Sequence, residues 1–300
     1  MNMGSETIWS FGYGSNMDVK ALEARKKVQV LEHTSAILKD FKMEFNLSGM
    51  RHVEPAFSGL ADSPGSQVHG VAFKMSLESA ENLIRNEGGG DSYDKKMVTF
   101  HSYTGRELEG FIFLNNSPPS LNLVPSSRYL GILVKGAKQA GLDPNYIKKL
   151  SNHPTYKPND AVLKARRERP KPEELNEITV EHLSQNKNWI ACLGYVFEPV
   201  SVRIFFDSHR GRDITTRFLM HFHGIGEVLG LDDNDDRGRP PYPLLKDLQG
   251  SELDYLTCWL DHYTLNQNDS HRPNIIGYLK EFKEQQNSNL TTFILPPIFV

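Results

Sequence analysis

Short apolar runs separated by turn residues dominate the first half of the chain. They predict strands near residues 8–13, 35–47, 56–61, 67–75, 95–103 and 108–115. Val68 to Phe73 and Glu109 to Leu114 are rich in β-branched and aromatic residues and are flanked by Gly, Ser and Pro, the composition of a half-buried pleated surface. Apolar residues three and four apart predict helices near 18–26, 77–86, 126–140 and 144–150. Many short strands joined by tight turns suit a small closed or nearly closed sheet in an α+β fold better than a parallel, doubly wound one.

Beyond residue 155 the pattern changes. From 156 to 187 the chain is polar and includes Lys164-Ala165-Arg166-Arg167-Glu168-Arg169-Pro170-Lys171-Pro172, which reads as a linker between residues 1–155 and 188–300. Glu168, Glu173 and Glu174 interrupt the basic cluster and it holds no aromatic residue, so a solvated linker or exposed helix is favoured over a nucleic-acid arm. A stretch that packs back on the first domain as an extension is the remaining alternative. After residue 188 apolar character returns. Trp189 to Phe197 and Val200 to Phe206 read as strands joined by a turn at Glu198-Pro199; Asp213 to His223, Glu252 to Tyr263 and Ile275 to Phe282 read as helices. The C-terminal region is thus expected to be an α+β unit with its own core, to which Phe205, Phe206, Phe218 and Trp259 contribute.

Composition narrows the classes. The 300 residues are 38% hydrophobic and 24% charged, enough for one or two ordinary cores, and the net charge of -3 provides no electrostatic footprint for nucleic acid. Cys192 and Cys258 lie in apolar surroundings, as reduced buried thiols do, and two cysteines make no disulfide framework. No run of 18 apolar residues occurs, and Met1 to Thr7 is too polar for a signal peptide, so a cytoplasmic protein without a membrane partner is expected.

Two segments carry candidate chemistry. Phe11-Gly12-Tyr13-Gly14-Ser15-Asn16-Met17 lies where the first strand meets a helix. Its glycines leave backbone N–H groups uncrowded, as docking of an anionic group requires, although a Gly-rich turn is often no more than a turn. It has neither the three glycines of a dinucleotide fold nor the lysine of a phosphate loop. In Leu83-Ile84-Arg85-Asn86-Glu87-Gly88-Gly89-Gly90 a carboxylate sits at a helix exit, where the dipole and burial favour its protonated form and hence acid/base duty. A solvated glutamate before a glycine cap is the plainer alternative. In the C-terminal region, His221 and His223 point to different helix faces, and Asp232-Asp233-Asn234-Asp235-Asp236 lacks the spacing of a calcium loop, so no metal site is assigned. Asp207-Ser208-His209-Arg210-Gly211-Arg212-Asp213 is either an anion site or a turn with Asp213 as N-cap.

Taken in order, the Tyr13-Gly14-Ser15-Asn16 turn, Ser63-Pro64-Gly65 before Val68-His69-Gly70-Val71-Ala72-Phe73, the helix ending Glu87-Gly88, and Pro125-Ser126-Ser127-Arg128-Tyr129-Leu130 opening a helix with Gly136-Ala137 resemble the gamma-glutamylcyclotransferase family. The resemblance runs from about Ile8 to Leu150. It implies a small mixed β-barrel with flanking helices, followed here by the C-terminal α+β extension. It also implies a reaction without a cofactor, in which the α-amine of a γ-glutamyl group attacks its own γ-carbonyl, closing 5-oxoproline and expelling the attached amine. On this resemblance Glu87 is the general acid/base, Tyr13, Gly14, Ser15 and Asn16 hold the α-carboxylate, and Tyr93 and Tyr129 line the pocket. The leaving amine is open: an amino acid, glutathione's dipeptide or a biosynthetic intermediate all fit. A binding module that has lost turnover is the rival, and a homodimer is one assembly open to the chain. Arg203, Arg210 and Arg212 are candidates for recognising a carboxylate on the leaving group.

Overall fold

The computed structural model describes residues 6–87, 93–115, 123–199, 206–224, 242–266, 268–270 and 274–288. The chain divides into two compact units, one of residues Met1–Met50 and Glu54–Tyr156, the other of Arg51–Val53 and Lys157–Val300.

The first unit is a closed barrel. β1 (Thr7–Gly12), β2 (Glu32–Met50), β3 (Glu54–Ser76), β4 (Tyr93–Ser102) and β5 (Glu107–Asn115) follow the order β1-β3-β2-β4-β5. Closure comes from a parallel pairing of β1 with β5, Trp9 opposite Gly110, while the other neighbours run antiparallel. The expected strands at 56–61 and 67–75 are one bent strand, β3. Ser63-Pro64-Gly65 does not end it, because the Gly65 N–H donates to Asp40 Oδ1 at 2.9 Å across a register shift between Lys39 and Phe41, so the kink is absorbed as a bulge. Asp40 and Gly65 both take positive φ, 63° and 81°, as a bulged pair requires.

Helices flank the barrel: α1 (Val19–Lys26), α2 (Leu77–Asn86), α3 (Ser127–Gln139) and α4 (Pro144–Ser151). Each start is capped by the side chain the local sequence supplies: Asp18, Ser76, Ser126 and Asp143 accept from Ala21, Ser79, Tyr129 and Tyr146 N–H. Leu22, Leu83, Leu130, Leu133 and Ala137 pack with Val71, Phe73, Met75 and Phe111 in one core. The barrel interior is a second cluster built on Phe11, Leu38, Val68, Phe100 and Ile112.

The second unit corrects several expectations. The 156–187 stretch is folded rather than a solvated linker. It forms helix Asp160–Arg167, whose Val162 and Ala165 are buried with Leu265, and strand β6 (Glu177–Ile178), which pairs in parallel with β9 (Ile275–Leu279). Its charges made it look solvated, yet Arg166 and Arg169 converge on Asp261, which is fully buried between them. The apolar run from Trp189 is a tight hairpin, β7 (Ile190–Cys192) and β8 (Tyr195–Phe197). It turns at Leu193-Gly194, both at positive φ, inside the run expected to be one strand. Ile275 begins strand β9 rather than a helix, and the helix Lys280–Gln286 follows it. The order of this sheet is β6-β9-β8-β7. Helices Thr215–Phe222 and Gly250–Thr264 lie where the pattern placed them, with Phe218 stacked on Trp259 at 3.7 Å between ring centroids. Val200 to Phe205 and the Phe206 side chain lie outside the described residues, as does Asp232 to Asp236.

Candidate active site

The 3₁₀ turn Ser15–Met17 joins β1 to α1, and Met17 N–H returns to Gly14 C=O at 3.2 Å. The tightness of this junction explains its glycines. A Cβ on Gly12 would stand 2.7 Å from the Phe73 ring, and one on Gly14 would stand 2.5 Å from Ser58 Oγ and 3.4 Å from the Tyr129 hydroxyl. The Ser15 carbonyl accepts from Arg25 Nη2 at 2.8 Å, tying the turn to the helix it opens.

Glu87 ends α2, its N–H bonded back to the Leu83 and Ile84 carbonyls. Although 71 residues away in sequence, Asn16 Nδ2 donates to Glu87 Oε1 at 3.0 Å, so the two segments with candidate chemistry meet. Lys26 Nζ stands 3.0 Å from the same oxygen, with the two side chains 19% and 18% exposed. Lys26 also donates to the Asn86 carbonyl at 3.0 Å, and Asn86 Nδ2 donates back to the Lys26 carbonyl at 3.1 Å, clasping the C-terminal ends of α1 and α2.

Three phenols complete the site. Tyr129, on the first turn of α3, is buried, and its oxygen lies 2.8 Å from Ser58 Oγ and accepts the Ser58 N–H at 3.3 Å. Phe57 meets the Tyr129 ring edge-on at 5.0 Å. Burial pushes all three phenols up, so each is a hydrogen-bond donor at neutral pH. Tyr93 rises to about 12 through burial and then the negative charge of Glu87. Tyr13 rises further through burial and then Tyr93, Tyr129 and Glu87, and the bonds from Ser58 partly offset the rise at Tyr129. Tyr13 and Tyr93 thus both feel the negative charge of Glu87. Behind Tyr129, the buried Glu54 carboxylate receives Arg128 Nη1 at 3.0 Å and the Ser126 hydroxyl, whose oxygen caps α3.

Every site residue expected from the resemblance therefore lies in the first unit, and Glu87 and Asn16 touch. Gly89, Gly90, Asp91 and Ser92 lie outside the described residues. Ser58, Lys26 and Glu54 were not singled out from sequence. Nothing local marks them: a serine in a strand, a lysine at a helix end and a glutamate after a turn are commonplace, and only the fold brings them here.

The candidate features of the C-terminal region have structural partners. His221 Nδ1 and the Tyr255 hydroxyl lie 2.7 Å apart, as do His223 Nε2 and Glu252 Oε1. Arg210 donates to the Lys187 carbonyl at 3.1 Å, and Arg203 lies outside the described residues. Asp213 is not the N-cap expected. Its Oδ1 accepts the Thr215 N–H at 2.9 Å, Ile214 occupies the cap position, and burial raises the Asp213 carboxyl to about 7. Both cysteines are free, and burial pushes each thiol up, Cys258 to about 11. Among the described residues no group of three or more His, Cys, Asp or Glu is placed to hold a metal, and no helix is long and apolar enough to cross a membrane.

Residues 67–150 match the AIG2-like family. A bovine gamma-glutamylcyclotransferase is 31% identical over 159 residues, 52% of this chain and 81% of that protein. The gamma-glutamyl cyclotransferase gliK of Aspergillus fumigatus is 29% identical over 50% of this chain and 64% of its own length, so the chain spans somewhat under two thirds of that fungal relative. A solved gamma-glutamyl cyclotransferase structure aligns over 54% of this chain and 99% of its own, at 24% identity and a TM-score of 0.45. The chain belongs to the gamma-glutamylcyclotransferase family.

Proposed function

We propose that the first unit cyclises a γ-glutamyl compound to 5-oxoproline with release of the attached amine. The observation that carries this reading is the hydrogen bond from Asn16 Nδ2 to Glu87 Oε1, which brings the carboxylate proposed as acid/base against the turn proposed to receive the substrate carboxylate. With the substrate α-carboxylate on the turn, its α-amine and γ-carbonyl face Glu87. The carboxylate takes a proton from the α-ammonium, and the freed amine attacks the γ-carbon. The ring C–N bond forms, that proton passes to the leaving nitrogen as the exocyclic C–N bond breaks, and the second proton shed by the ring nitrogen goes by the same carboxylate to the released amine, which departs as an ammonium. Nucleophile and carbonyl belong to one molecule, so the protein has only to fold the chain, move the proton and stabilise the oxyanion. Protonated phenols and the N–H groups of the turn are the donors for that last task. Cytoplasmic action on a small-molecule substrate fits this chemistry.

The test is 5-oxoproline release from a panel of γ-glutamyl compounds by the full chain and by Glu87→Gln. The substitution removes proton transfer at nearly constant shape, so a loss of about 10²–10⁴-fold in kcat with unchanged circular dichroism is expected. Near-normal turnover by the variant excludes Glu87 as the acid/base. Ligand binding without any 5-oxoproline from the native chain points instead to a binding module.

A further inference from the structure

We propose that Lys26 is the specificity-determining residue of this site, pairing with a free carboxylate on the carbon next to the leaving nitrogen. The proposal rests on the reading of Glu87 given above. A proton can pass to the leaving nitrogen only if that atom comes within about 3 Å of the Glu87 carboxylate. Lys26 Nζ is 3.0 Å from Oε1 of that same carboxylate. When the leaving group is an amino acid, its carboxylate carbon is two bonds from the leaving nitrogen, which brings the carboxylate within reach of the ammonium.

Three features suit Lys26 to that task. Its place is set by the clasp between α1 and α2, in which Lys26 and Asn86 exchange side-chain to backbone hydrogen bonds at 3.0 and 3.1 Å, so no ligand is needed to hold the lysine there. An ammonium has three N–H donors, and the contacts with Glu87 and the Asn86 carbonyl engage two of them. Its side chain is 19% exposed, dry enough for a charge-assisted bond to matter and open enough for a solute to reach. A neutral leaving amine offers Lys26 no charged partner, and the carboxylate of a dipeptide leaving group lies several bonds farther from the leaving nitrogen.

The experiment compares γ-glutamyl-L-alanine with γ-glutamyl-L-alaninamide, which differ in little but that charge, on the full chain and on Lys26→Met and Lys26→Arg. The native chain is expected to favour the free acid by about 10-fold or more in kcat/KM, chiefly through KM. Lys26→Met should bring the ratio to within about 2-fold, and Lys26→Arg should keep it. Any effect of Lys26 on the basicity of Glu87 or on folding changes both substrates together and cancels in the ratio. Equal losses on the two substrates, or no preference in the native chain, overturn the proposal. Calorimetry with glutaryl-L-alanine and glutaryl-L-alaninamide, which lack the nucleophilic amine, separates this from the cyclisation reading. A preference for the acid that depends on Lys26, in a chain that forms no 5-oxoproline, sustains the lysine's role and removes the reaction. Absence of such a binding preference overturns the lysine's role as well.

Discussion

Gly14 has almost no room for a side chain, and its neighbour is the hydroxyl that holds the Tyr129 phenol. Gly14→Ala should therefore push Ser58 away from Tyr129 and cost about 1–3 kcal/mol of stability, as overpacking does, together with a fall in turnover. If the clash with Ser58 is the cause, Ser58→Ala in the same chain should return part of the lost stability. The check is a double-mutant cycle on thermal unfolding, with a coupling of about 0.5 kcal/mol or more expected. Asp213 makes a residue-scale prediction for the second unit. Burial raises its folded pKa to about 7 from an ordinary value of 3.8, so between those values the folded state holds a proton that the unfolded state has lost. The Asp213 contribution to stability is then full below about pH 4, declines as pH rises and is gone above about pH 7, with a slope of at most about 1.4 kcal/mol per pH unit. Asp213→Asn should remove that slope, which urea titrations from pH 4 to pH 8 would measure as a pH-dependent difference from the native chain.

At the scale of elements, α3 is oriented by what lies beneath its first turn. Glu54 opens β3, is 2% exposed, and joins Arg128 and Ser126 of the α3 start in a buried network. Arg128→Ala would leave the Glu54 carboxylate buried with a hydroxyl as its remaining partner in that network. A cost of about 3–5 kcal/mol is expected from breaking a buried pair, read as a lower unfolding midpoint in urea. Because Tyr129 stands on that turn, the same variant should also raise KM for a γ-glutamyl substrate. An unchanged midpoint would mean that Glu54 reaches solvent or another partner once Arg128 is removed.

At the scale of the molecule, all five barrel strands and the flanking helices α1–α4 fall within the unit that closes at Tyr156, whose N–H bonds to the Pro125 carbonyl at 2.8 Å. A fragment Met1–Tyr156 is expected to keep the barrel and 5-oxoproline release within about 10-fold of the full chain. The complementary fragment Lys157–Val300 should fare worse, because its unit also counts Arg51–Val53. Asp269 there receives the Arg51 guanidinium, stands 3.5 Å from His52 and accepts Asn159 Nδ2 at 2.8 Å. Without Arg51 and His52, Asp269 loses two of these neighbours, and broadened unfolding of that fragment beside a cooperative barrel fragment is the expected pair of outcomes.

What the amino-acid sequence determined by itself was local. Short β-branched runs, capping residues at positions 18, 76, 126 and 143, and the glycines of the first turn each act through the backbone of their own neighbourhood, and the barrel elements followed from them. The match of ordered motifs added the meeting of Glu87 with the turn, which no local propensity encodes. The second unit was harder to read because its signals are tertiary. Arg166 and Arg169 looked solvated until Asp261, more than 90 residues later, gave them a buried partner. Ile275 to Leu279 became a strand because β6 and β8 offered backbone partners on both sides. Lys26, Ser58 and Glu54 reach the candidate site for the same reason: electrostatics and hydrogen bonding act over distances in space, and only the closed fold converts separations of 61 to 74 residues into contacts of about 3 Å.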